Sequence, residues 1–120
     1  MKSKSYKDLI VWQKACEVAI IVYEITENFP RQELFGLASQ MQRASVSVAS
    51  NIAEGSKRGT KKDFINFLRI AQGSLAELET QISILKKISF GKSIPVENIV
   101  QSIDGTNRLL SALIISLSKN

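Results

Sequence analysis

The amino-acid sequence predicts an all-α fold, an antiparallel up-down-up-down four-helix bundle with left-handed packing, in a single domain spanning residues 1–120. Three observations predict it. Apolar residues recur at alternating three- and four-residue steps through four stretches, near 5–28, 33–54, 61–89 and 95–118. Short breaks at Phe29-Pro30, Gly55 to Gly59 and Gly91 to Pro95 separate them, and short connections place neighbouring helices antiparallel. No stretch shows strand alternation, and no Asn-Gly pair signals a hairpin.

In the first helix, Leu9, Trp12, Cys16, Ala19 and Tyr23 form one apolar row, and Val11, Ala15, Val18, Val22 and Ile25 form a second beside it. The face is wide. Lys14, Glu17, Glu24 and Asn28 lie opposite, with Ile10 and Ile21 as apolar intruders that a monomer has no reason to expose. Pro30 ends the helix because proline disfavours helical geometry in the residue before it. The second helix carries a thinner stripe, Leu34, Leu37, Ala38, Met41, Ala44, Val48 and Ile52, whose small residues allow a close helix approach. Gly55 reads as its C-terminal cap.

Thr60 with Asp63 three residues on is a variant capping box that opens the third helix. Its heptad is the clearest in the chain: Phe64, Phe67/Leu68, Ala71, Leu75, Leu78, Ile82 and Leu85. A sustained 3.5-residue spacing predicts left-handed packing at a shallow crossing angle. Pro95 suits the first turn of the fourth helix, with the stripe Val96, Ile99/Val100, Ile103, Leu110, Leu113/Ile114 and Leu117. Gly105 interrupts it. A mid-helix glycine costs about 1 kcal/mol relative to alanine, so a kink or a close contact is expected there.

Composition narrows the function. The 120 residues hold 16 Lys+Arg against 11 Asp+Glu, no His, one Cys and 44% apolar residues. Without histidine the commonest general base and transition-metal ligand are missing, and Cys16 alone forms no intrachain disulfide. No metal or cofactor is expected. The longest apolar runs, such as Val18 to Tyr23, fall far short of a membrane span, and Gln13 and Lys14 break the run after the basic N-terminus too early for a signal peptide. A cytoplasmic protein without membrane contact is the expectation.

Residues 1–30 sum to zero charge, so the +5 excess lies after Pro30. Its densest part is Lys57, Arg58, Lys61 and Lys62, with no acid between Glu54 and Asp63. Four cations within six positions suit phosphate contacts, and they equally suit a solvated loop. Polar residues also border the apolar stripes. Arg43, Ser47, Ser50/Asn51 and Glu54 form a row on the second helix; Asn66, Gly73, Glu77 and Gln81 form one on the third. Loop centring gives facing positions that sum to roughly 115, which sets Asn51 near Asn66 and Arg43 near Gln72 to Glu77. Buried polar residues at Ser45, Asn51 and Asn66 are therefore expected, with Arg43 and Glu77 as an internal pair that forbids slipped registers. The other reading of these rows is a polar seam for a ligand or a subunit interface.

The segments Leu9-Ile10-Val11-Trp12-Gln13-Lys14-Ala15, Glu33-Leu34-Phe35-Gly36-Leu37, Gln40-Met41-Gln42-Arg43-Ala44, Ser50-Asn51-Ile52-Ala53-Glu54-Gly55 and Gly73-Ser74-Leu75-Ala76-Glu77-Leu78-Glu79 occur in order. In them the chain resembles the four-helix-bundle family of 23S rRNA intervening-sequence proteins, which includes accessory variability proteins of diversity-generating retroelements. The resemblance implies a ring, a homopentamer, with a basic surface suited to nucleic acid. In the retroelement branch it implies a reverse transcriptase and RNA as partners. One departure stands out: family members often have proline where this chain has Ala49, which puts in doubt the kink expected there.

Two functions follow as expectations. One is a non-catalytic oligomeric scaffold that binds RNA or DNA electrostatically through Lys57, Arg58, Lys61 and Lys62, repeated around a ring. The other is a protein-interaction scaffold whose charge serves solubility or steering. An enzyme is not expected: dinuclear sites of helical bundles use Glu-x-x-His pairs, and Cys16 reads as a core residue. Lys57 to Lys62 lacks the glycine spacing of a phosphate loop, and no strand precedes it.

Overall fold

Four helices carry the chain: α1 (Ile10–Thr26), α2 (Leu37–Ser56), α3 (Lys61–Leu85) and α4 (Glu97–Ser118). The computed structural model describes residues 5–119, and among them there is no strand. Three single 3-10 turns complete the order, Tyr6–Asp8 before α1, Arg31–Glu33 before α2 and Phe90–Ser93 before α4. The assembly measures 52 × 20 × 19 Å. α2 packs on α1 and α3, and α4 packs on the same two; among the described residues the diagonal pairs do not approach.

The first helix begins later than its periodicity suggests. Ser5 Oγ accepts the Lys7 N–H and holds Tyr6–Asp8 as a separate turn, then Leu9 is extended, so regular helix starts at Ile10. Gln13 Nε2 donates to the Lys7 carbonyl at 2.9 Å, and the Tyr6 ring meets Trp12 edge-on at 5.3 Å. The turn is thereby tied to α1. Of the two apolar rows of α1, the one centred on Val11, Ala15, Val18 and Val22 is buried and is completed by Thr26. Leu9, Trp12, Cys16 and Ala19 are only half-buried, and Tyr23 is exposed. Cys16 therefore flanks the core instead of filling it.

Thr26 ends α1 with its hydroxyl donating to the Tyr23 carbonyl and accepting from Gln42 Nε2 at 2.9 Å. Phe29 is buried edge-on against Phe90, so the α1–α2 and α3–α4 connections share one apolar contact. α2 then runs unbroken through Ala49, where no proline interrupts its ladder. It also continues past Gly55, which is a buried helical residue and not a cap: a Cβ there would lie 2.5 Å from the Cβ of Phe67. The absent side chain lets α2 and α3 approach. Chain reversal falls instead at Gly59, with φ +96°, a backbone region that L side chains rarely adopt.

The core takes Met41, Val48 and Ile52 from α2, Leu68, Leu75, Leu78 and Leu85 from α3, and Ile99, Ile103 and Leu110 from α4. At about 25 cal/mol per Å² of apolar area removed from water, each of these large side chains stabilises the fold by about 2 kcal/mol. α4 is continuous across Gly105, and a Cβ at that position would meet nothing within 4 Å. Neither a break nor a close contact within the chain accounts for the residue. Beside it Thr106 is buried, its hydroxyl donating to the Ser102 carbonyl at 2.7 Å.

Candidate nucleic-acid interface

The basic cluster sits on the four-residue reversal between α2 and α3. Lys57 and Arg58 close the end of α2, their N–H groups donating to the carbonyls of Glu54 and Gly55. Thr60 opens α3, its Oγ1 accepting the Asp63 N–H at 3.1 Å, so Lys61 and Lys62 occupy the first turn of that helix. Lys57, Arg58, Lys61 and Lys62 are all exposed.

They are not equivalent. Arg58 donates to Glu54 Oε2 at 2.7 Å and its guanidinium lies 4.8 Å from the centroid of the Phe67 ring. It is committed to the junction as a fastener, through an exposed ion pair and a cation–π contact. Lys57, Lys61 and Lys62 make no ion pair within the described residues. The α3 N-terminus adds its own partial positive charge beside them, which Asp63 in the same turn offsets. The Arg58–Phe67 contact joins residues nine apart across the turn, and no periodicity within either helix signals it.

The polar rows are arranged differently from their sequence reading. Arg43 and Glu77 are both exposed and form no ion pair within the described residues, so the internal pair is overturned. Arg43 lies two residues from both Met41 and Ser45, about 200° around the helix from each, which points it to solvent. Asn66, two residues from Phe64 and Leu68, is exposed for the same reason. Ser45 is fully buried, its Oγ donating to the Gln42 carbonyl at 2.9 Å. Asn51 is half-buried and turns back on its own helix, Nδ2 donating to the Ser47 carbonyl at 2.8 Å and to Ser47 Oγ at 2.9 Å.

The polar link between α2 and α3 is instead the 2.8 Å hydrogen bond between the Ser47 and Ser74 hydroxyls. Those residue numbers sum to 121, and Gly55 with Phe67 gives 122, so the register is shifted by about six from that inferred by loop centring. Asn51 consequently does not meet Asn66. The half-buried Cys16 thiol is held above the usual thiol range by desolvation, the opposite of the shift that activates a nucleophile. Among the described residues no group of three His, Cys, Asp or Glu side chains could hold a metal ion. Nor is any described helix long and apolar enough to cross a membrane.

An all-helical protein with a lysine-bearing turn between its two most closely packed helices is the class that this geometry defines. Residues 7–112 match the family model described as 23S rRNA-intervening sequence protein, and the chain belongs to that family. It is similar to a crystal structure of a protein of unknown function from the S23 ribosomal protein family of Bacteroides thetaiotaomicron. That likeness has 27% identity and a TM-score of 0.75, covering 91% of this chain and 98% of the other. No curated protein shows a significant match to the chain.

Proposed function

We propose that this protein is a non-catalytic, cytoplasmic, oligomeric scaffold that binds RNA or DNA electrostatically through the lysines of the α2–α3 turn. The observation that carries this reading is the exposure of Lys57, Lys61 and Lys62 on one tight reversal without carboxylate partners, while Arg58 is spent on holding that reversal together. Phosphate contacts of this kind depend on charge and are nearly indifferent to base sequence. The name of the family points to ribosomal RNA as the context, and the similar structure is assigned to a ribosomal protein family.

The frame of the reading is an antiparallel up-down-up-down bundle with left-handed packing; the near-constant sum of contacting residues along α2 and α3 supports the antiparallel pairing of those two helices. Exposed apolar side chains support assembly, as the homopentamer that the family resemblance implies; Phe35 is 96% exposed and Ile10 62%. A ring would present the turn lysines once per subunit and multiply weak contacts. The absence of histidine and the protonated state favoured at Cys16 support a protein without catalysis.

Affinity for a structured RNA and for duplex DNA, measured across salt together with native mass, tests the reading. Binding should weaken steeply as salt rises and should fall markedly when Lys57, Lys61 and Lys62 are replaced by Glu. Salt-independent binding, or an affinity that the three replacements leave unchanged, rejects it. The second reading is a scaffold for a protein partner, such as a reverse transcriptase. Phe35, with its neighbour Leu34 also exposed, favours that reading. Complexes captured with the protein and stable to nuclease would select it.

A further inference from the structure

The basic surface does not stop at the turn. On α3 the stretch 64–76 contains no Asp or Glu, and on α4 no acid follows Asp104, which is itself paired with Arg108. These two acid-free halves face each other: Gln72 Nε2 donates to Ser111 Oγ at 3.0 Å and to Asn107 Oδ1 at 3.3 Å. Between them runs a groove of about 480 Å³ with Arg69 on one bank and Lys119 on the other, floored by Ser111, Ile114 and Ser118. Among the described residues no carboxylate lines it. Arg69 and Lys119 form no ion pair within the described residues.

The groove is continuous with the turn. Lys62, Asn66 and Arg69 follow steps of four and three residues, hence one face of α3, and all three are exposed. Lys62 and Arg69 are seven residues apart, about 10 Å along the axis. That span matches about three nucleotides of one strand along a duplex axis. Ile115, 58% exposed on the lip of the groove, adds apolar surface next to the charges.

We propose that the α3–α4 groove holding Arg69 and Lys119 is a second phosphate seat, so that one nucleic-acid backbone runs from Lys62 along the outer face of α3 and into the groove. This rests on the nucleic-acid reading above and extends it to residues outside the turn. Asn66 lies beneath the path as an uncharged donor. Each subunit then carries two separable sets of phosphate contacts, and the turn alone accounts for only part of the salt dependence.

The test compares the unaltered protein with R69Q/K119Q and with K57Q/K61Q/K62Q, using fluorescence anisotropy of a labelled single strand and a duplex of equal length between about 50 and 200 mM salt. Loss of two contacts should lower the slope of log affinity against log salt by about 1.8 on duplex and about 1.4 on the single strand. The turn variant should show its own, additive loss. R69K/K119R, which keeps both charges, should retain the original slope, and far-UV circular dichroism controls for folding. If R69Q/K119Q keeps the original slope while the turn variant loses contacts, the groove is not a phosphate seat and the turn reading stands. If the unaltered protein shows no salt-dependent binding at all, both readings fall together.

Discussion

Gly55 and Phe67 mark a close approach of α2 to α3, since a Cβ on Gly55 would lie 2.5 Å from the Phe67 Cβ and 3.1 Å from Phe64 Cδ1. The contact is between atoms tied to two backbones, and rotamer changes cannot relieve it. It lies one turn before the basic reversal, beside the ring on which Arg58 rests. The helix junction that displays the lysines is therefore built on an absent methyl group.

Gly55→Ala should destabilise the protein by about 2 kcal/mol. Alanine improves helix propensity by about 1 kcal/mol, but a 2.5 Å approach between two Cβ atoms puts overpacking at the upper end of its range, about 3 kcal/mol. Adding Phe67→Leu should restore little, because leucine keeps the Cβ that collides. Urea unfolding of the single and double variants measures both effects; a neutral or stabilised Gly55→Ala would contradict the close approach.

Gly105→Ala should do the reverse. Position 105 is exposed and helical, and a Cβ added there would meet nothing within 4 Å, so only the propensity gain of about 1 kcal/mol remains in the isolated chain. For a domain of this size the melting temperature should rise by about 4 °C. Gly73, equally open on α3, should respond alike. A loss of stability at either site would mean that an assembled partner, and not the chain itself, requires the glycine.

Much of this fold is legible in the sequence because helical periodicity on α2, α3 and α4 marks most of the buried stripe, although Leu34, read as part of the α2 stripe, lies before that helix and is exposed. It fails where two rows compete. On α1 both rows are apolar, and periodicity alone cannot choose Val11, Ala15, Val18 and Val22 over Leu9, Trp12, Cys16 and Ala19. The polar positions differ for a simpler reason: Arg43 and Asn66 sit two residues from core positions, which on a helix is the far side. The basic cluster is visible in the sequence as charge, but the division of labour within it is not. Arg58 separates from the lysines only when Glu54 and Phe67 are brought beside it in three dimensions.

Gln81 offers a stabilising substitution. It is 5% exposed on α3, and its Oε1 is buried without a hydrogen-bond partner among the described residues. An unsatisfied buried acceptor carries a desolvation penalty of about 1–3 kcal/mol. Gln81→Met preserves the length of the side chain and removes that acceptor, so the urea midpoint should rise with an unchanged slope. A fall in the midpoint would show that the amide is satisfied in solution.

Cys16 ties stability to alkaline pH. Desolvation at its half-buried site raises the thiol above its unfolded value, so the folded state holds the proton more tightly than the unfolded chain does. The stability linked to the neutral thiol is fully present below the unfolded value of about 8.5. Above it the unfolded state ionises first, and that stability is lost as pH rises through the folded value. Cys16→Ser should therefore flatten the part of the alkaline stability decline that belongs to this residue, without changing the curve between pH about 6 and 7.5. The same desolvation should slow the reaction of the native thiol with a disulfide reagent at pH about 8 relative to the urea-unfolded protein, because the thiolate is the attacking species. Equal rates in the two states would show that the packing of α1 against α2 leaves this thiol in an environment no drier than water.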